Sequence, residues 1–143
     1  MRLAVCFFAL VLAHGALGSE RAGTIKTSAG SAHILREGAR LPADAGAAVM
    51  VSDSIETGSD GTVGITLMDD TRLTAGPDSE LKLNRFVFDT TTHAGGLDAK
   101  ITRGSLAVIS GKIAKTNPDN VSFSTSAVTL GVRGTRFIIK TSQ

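Results

Sequence analysis

The sequence predicts an all-β fold, an antiparallel β-sandwich of jelly-roll or β-roll type with about ten short strands, and three observations predict it. Apolar side chains recur with a two-residue period, as at Val63, Ile65 and Leu67 or at Val121 and Phe123, the signal of strands with one buried face. Turn residues return roughly every ten positions. No stretch sustains a helical period; the one weak helical alternative, over residues 43–51, is interrupted by Gly46 and Pro42. Connections are short, so antiparallel hairpins are expected rather than parallel crossovers.

Residues 1–18 read as a cleavable signal peptide. Arg2 supplies the positive end, Leu3 through Ala13 are almost all apolar, and Ala16-Leu17-Gly18 offers small residues before a cleavage point at Ser19. The apolar run is about eleven residues, short of the roughly 20 that a membrane span needs. Cys6 is not a lipid-anchor cysteine, because almost no apolar chain precedes it. The remaining 19–143 make a single β domain with no later transmembrane span.

Within it, residues 24–28 and 32–36 flank Ala29-Gly30-Ser31 and read as an opening hairpin. Arg36-Glu37-Gly38 ends the second strand in a turn, residues 40–48 read as a loop, and 47–50 as a short strand leading into Ser52 to Thr57. Gly58-Ser59-Asp60-Gly61 is a turn in which Asp60 can accept from backbone and Gly61 can take a positive φ. Strands follow at 63–67 and 71–75, joined by Asp69-Asp70, and another begins after Gly76-Pro77-Asp78. Leu81 and Leu83 are odd-numbered whereas Phe86 and Phe88 are even, which places a β-bulge or corner at Asn84-Arg85. Residues 90–96 are a polar loop, 97–103 and 106–110 strands about Gly104, and 115–120 a loop carrying Asn117-Pro118. Val121 to Thr125 alternates, and Val128 to Ile139 closes the domain as strands bent at Gly131 and Gly134.

Composition removes several function classes. Cys6 is the one cysteine, so the domain has no disulfide scaffold, thiolate zinc site or cysteine nucleophile. Lys and Arg number 15 against 13 Asp and Glu, and 14 against 13 once Arg2 leaves with the leader. That balance gives no nucleic-acid footprint. Without tryptophan or tyrosine there is no large aromatic platform for sugars, although Phe86 and Phe88 remain. His33 and His93 show no metal-ligand spacing, the acidic turns lack an EF-hand pattern, and no serine sits in a nucleophile elbow. No cofactor, metal or catalytic residue is expected. Asn120-Val121-Ser122 fits a glycosylation pattern that arises often by chance, and Ser122, Ser124 and Ser126 read as a solvated strand face.

In order, the blocks Gly23 to Gly38, Ser52-Asp53-Ser54-Ile55-Glu56-Thr57-Gly58, Leu67-Met68-Asp69-Asp70-Thr71-Arg72-Leu73, Arg103-Gly104-Ser105-Leu106 and Val132-Arg133-Gly134-Thr135-Arg136-Phe137 resemble the periplasmic FecR domain. That domain is the sensing module of iron-dicitrate-type transmembrane regulators. The resemblance implies framework roles for Asp53, Thr57, Gly58, Asp69, Gly104, Val132, Arg133, Gly134, Thr135 and Phe137. Two positions depart from the family pattern: Ser52 and Asp70 stand where glycines are usual, and Asp tolerates left-handed geometry. A cleavable leader also replaces the sigma-factor-binding segment and membrane helix of the regulators, so transmembrane signalling is not implied.

Arg133, set between Val132 and Gly134, needs a hydrogen-bonding partner if it is even half buried, and Asp53 is the expected one. The resulting expectation is a non-catalytic, periplasmic or secreted sensory-type module that binds an envelope protein, with sheet edges open to strand addition. A glycan- or cell-wall-associated binding module is the alternative.

Overall fold

In a computed structural model, residues 20–132 and 134–142 are described; the proposed leader, residues 1–18, lies outside them, as does Arg133. The chain is all-β and mostly antiparallel. Among the described residues twelve strands run β1 (Arg21–Ala29), β2 (Ala32–Arg36), β3 (Ala39–Pro42), β4 (Ala48–Met50), β5 (Ser54–Thr57), β6 (Thr62–Leu67), β7 (Arg72–Ala75), β8 (Glu80–Phe88), β9 (Gly95–Ile109), β10 (Val121–Ser124), β11 (Thr129–Gly131) and β12 (Arg136–Thr141). A single turn of helix, α1 (Lys112–Thr116), and a 3-10 turn (Pro118–Asn120) separate β9 from β10.

The strands form one curled sheet rather than the two separate sheets of the expected sandwich, because β9 belongs to both halves. Its first part pairs β8 and β10, in a half ordered β3-β2-β5-β8-β9-β10-β11. Its last part pairs β7 and β12, in a half ordered β4-β1-β6-β7-β9-β12. Between them Gly104 sits at φ +86, and a Cβ there would come within 2.1 Å of Ser79 Oγ. Only glycine allows so close a crossing.

Register stacks the predicted apolar positions across each half. Ile34, Ile55, Leu81 and Ile101 are successive partners in one; Ile25, Ile65, Leu73, Val108 and Phe137 are successive partners in the other. Both ladders enter a single core cluster. Burying a side chain of this size contributes about 1.5–3 kcal/mol, so cross-strand apolar ladders are what hold the curl closed. The parity change appears as a register shift between Leu83 and Arg85, and Asp70 takes φ 68 in the β6–β7 turn.

Several expectations are corrected. β1 and β2 do not form a hairpin: β1 pairs β4 and β6, while β2 pairs β3 and β5. At Gly30 the chain instead crosses between halves. A Cβ there would meet the Asp60 carbonyl at 2.1 Å, and Ser31 N–H donates to Asp60 Oδ1 at 3.2 Å. Gly61 is required not by positive φ but by space, since its Cβ would meet the Ser31 carbonyl at 2.0 Å. Part of the loop assigned to residues 40–48 is β3, paired to β2 through a turn at Glu37 and Gly38. Residues 97–109 are one strand, not two. The short connections do admit a parallel crossover, because α1 and the 3-10 turn carry the chain from β9 to β10, which pair in parallel.

Candidate functional site

The predicted motif residues are distributed over three buried polar clasps and a C-terminal seam. The first clasp centres on Asp53, only 1% exposed. Arg36 holds both its oxygens, Nε to Oδ1 at 2.9 Å and a terminal nitrogen to Oδ2 at 2.8 Å, and Met50 N–H donates to Oδ2 at 2.8 Å. Arg36 also donates to the Ala48 carbonyl at 3.1 Å. The guanidinium thus ties the end of β2 to β4. Hydrogen bonding to Asp53 raises the Arg36 pKa against the opposing effect of burial. Arg133 lies outside the described residues, and Arg36 occupies the role expected of it at Asp53.

The second clasp joins Thr57 to the turn after β7. Thr57 Oγ1 donates to the Gly76 carbonyl at 2.6 Å and accepts from Ser79 N–H at 2.9 Å. Ser79 Oγ in turn accepts from Ser105 N–H at 2.9 Å, beside Gly104. Gly58 N–H donates to the Ser31 carbonyl, and the Gly58 carbonyl accepts from Gly61 and Asp78. The third clasp is Asp69, fully buried and without a cationic partner among the described residues. It accepts from Thr71 N–H at 3.0 Å, Thr71 Oγ1 at 2.8 Å and Ile113 N–H at 3.3 Å, tying the β6–β7 turn to α1. Three donors are what a buried carboxylate needs to remain satisfied. Asp53, Thr57, Asp69 and Ser79 are buried in these clasps, while Thr57 and Gly58 also line a polar hollow with His33, Arg40, Glu56 and Arg103.

The C-terminal stretch is mixed. Val132 is buried in the core, and Phe137 packs edge-on against Phe123 with ring centroids 5.5 Å apart. The carbonyls of Gly134 and Thr135 accept from the Ser110 hydroxyl and N–H at 3.1 and 2.9 Å. Here, however, apolar side chains also face outward. Ile138 is 66% exposed, Val128 53% and Leu130 39%. Leu130, Val132, Phe137, Ile138 and Ile139 line a cleft of about 230 Å3 between β11 and β12. Each of those strands is paired on one side alone among the described residues, β11 to β10 and β12 to β9. Sequence reasoning named the open edges but not this one; the signal was Ile138, an isoleucine on the face opposite Phe137 and Ile139.

The histidines stay apart: His33 Nδ1 lies 3.1 Å from Arg40, and His93 stacks on Phe88. Among the described residues, no cluster of three His, Cys, Asp or Glu side chains is placed to hold a metal, and no helix is long and apolar enough to cross a membrane.

The fold is a β domain that shares one strand between two halves and holds Asp53, Thr57 and Asp69 in buried polar clasps. The FecR protein family profile matches residues 53–143, well over half of the sequence, and the chain belongs to that family of regulator and sensor-type modules. The match begins at Asp53 and takes in the third clasp and the seam, whereas β1 to β4 precede it, and with them Arg36, Ala48 and Met50 of the first clasp and Ser31 of the second. Comparison with curated proteins and with solved structures returned no significant match.

Proposed function

We propose that the chain is a non-catalytic interaction module of the cell envelope, periplasmic or secreted after removal of residues 1–18, that receives an extended segment of an envelope protein at the β11–β12 seam. The observation that carries this reading is β12 itself. It is six residues long, paired on one side, and places Ile138 outward beside Leu130. An incoming strand gains backbone hydrogen bonds from such an edge, while the cleft between β11 and β12 takes an alternate apolar side chain. Membership of a regulatory family supports recognition rather than chemistry.

The test is site-specific photo-cross-linking in intact cells, with the cross-linker at Ile138 and, as control, at Ala48 on β4. The expected result is a discrete adduct at position 138 with one segment of an envelope protein, competed by added wild-type chain and not by Ile138→Lys. Equal labelling at both positions would overturn the proposal.

A further inference from the structure

The outer face of the β4-β1-β6-β7-β9-β12 half is cationic throughout. β1, β4, β6, β7, β12 and the last part of β9 contain no Asp or Glu, yet Lys26, Arg72, Arg136 and Lys140 project from this face into solvent. None of the four lies in an ion pair among the described residues. The other half differs. Its outer face mixes Glu56 and Glu80 with Lys82, Lys100 and Arg103, and Glu80 stands opposite Arg103 in register. In a near-neutral protein, the strands of one face thus carry basic side chains with no acidic ones among them, while the other face carries both signs.

This face is also grooved. Lys26, Thr27, Gly64, Thr66, Arg72 and Thr74 line a hollow of about 460 Å3 that runs across β1, β6 and β7. Gly64 and Thr74 are register partners, and Thr74 pairs in turn with Ala107, which pairs with Ile138. Over β6, β7 and β9 small side chains thus make a floor perpendicular to the strands, which ends at the exposed Ile138 of β12. Thr66, Arg72, Ile109 and Arg136 form the parallel row along one rim, and Lys140 stands beyond the other. The hollow crosses two inter-strand steps from β1 to β7, about 10 Å at ~4.8 Å each, and the rim row continues two steps further to Arg136.

We propose that this groove binds a linear acidic polysaccharide, whose acidic groups meet Lys26, Arg72 and Arg136 while its ring hydroxyls meet Thr66 and Thr74. Charge complementarity selects the polyanion. The groove's direction selects among polyanions: an acidic peptide strand adds along a sheet edge, not across a face. Single-stranded nucleic acid would use stacking aromatics, and this face has none. A membrane surface would touch the rims and leave the floor unused. The row reaches the β11–β12 seam only at Ile138, while Lys26 and Arg72 lie on β1 and β7, so substituting those two tests the inference apart from the strand-addition reading.

The test uses the purified chain with alginate as the acidic polysaccharide, and with dextran, poly-glutamate, phosphatidylglycerol vesicles and single-stranded DNA as comparison probes. Binding to alginate should exceed that to every other probe and weaken as salt is raised. Lys26→Glu with Arg72→Glu should lower alginate affinity by at least ~10-fold, with an unchanged melting midpoint. Lys82→Glu with Lys100→Glu, on the opposite face, should leave it within about twofold. Absent alginate binding, tighter binding to any comparison probe, or equal losses from the two double variants would overturn the proposal. Cross-linking at Ile138 serves as the separate readout for the seam and should be unaffected by Lys26→Glu with Arg72→Glu.

Discussion

The curled sheet has two ends where its halves stop side by side, and they are finished in opposite ways. At the first, β3 and β4 are the edge strands, four and three residues long. Residues 43–47 bridge them: Ala43 N–H donates to the Ala32 carbonyl, Gly46 N–H to the Ile25 carbonyl, and Ile25 N–H to the Ala47 carbonyl. Ala43 is buried, and Arg36 and Asp53 lock β4 from beneath. At the second end, β11 and β12 carry exposed Leu130 and Ile138 and an apolar cleft. Short, covered, charge-locked edges are how proteins prevent strand addition. One seam is covered and the other is not, and the proposed strand addition rests on that asymmetry.

The largest effect should come from unlocking the closed seam. Arg36→Ala leaves the Asp53 carboxylate buried with only Met50 N–H as partner, and should cost about 3–5 kcal/mol in urea unfolding. Asp53→Ala should cost less, about 1–3 kcal/mol, because Arg36 retains 31% exposure and can turn to water. Equal losses from the two variants would show that the clasp acts through packing rather than charge. Within the open seam, Ile139→Ala should cost about 2–5 kcal/mol, since Ile139 is a core residue although its strand is an edge.

A smaller, pH-dependent effect belongs to the crossing at Gly30. Asp60 is held below the usual carboxylate range, first by the hydrogen bond from Ser31 N–H. A depressed folded-state pKa stabilises above the unfolded value of 3.8 and is lost as pH falls from there through the folded value. Asp60→Asn should therefore remove part of the acid sensitivity below that pH and change little at neutrality, as acid titration of unfolding would show. Asp89, held low by the N–H groups of Thr92 and Thr91, should contribute over the same window.

What was legible in the sequence follows from which forces are local. Alternation at Val63, Ile65 and Leu67, the parity flip before Phe86, and left-handed Asp70 each depend on a few neighbouring residues, and each appears in the fold. The false hairpin at Ala29-Gly30-Ser31 does not have a local cause. A small flexible tripeptide is the same whether strands return or cross, and the decision is made by the Asp60 carbonyl far along the chain. The crossover through α1 was hidden because five residues cannot display a helical period. Arg36 could have been found: it shares the inward parity of Ile34, and an arginine in phase with a core residue requires a carboxylate. Its place beside Glu37-Gly38 made it read as an ordinary turn residue.

The smallest effect on stability should come from Ile138, next in sequence to Ile139. Its side chain is 66% exposed, so Ile138→Lys removes little buried surface and should move unfolding free energy by less than about 0.5 kcal/mol. The charge it adds blunts an edge in the way natural sheets do, which opposes an incoming strand without disturbing the pairing of β12 with β9. A variant of wild-type stability that no longer competes in cross-linking would separate recognition from folding at adjacent residues of one strand. A loss of stability comparable to that of Ile139→Ala would instead mean that Ile138 is covered in the protein as it exists in solution, and that the open seam is closed by contacts of the chain's own.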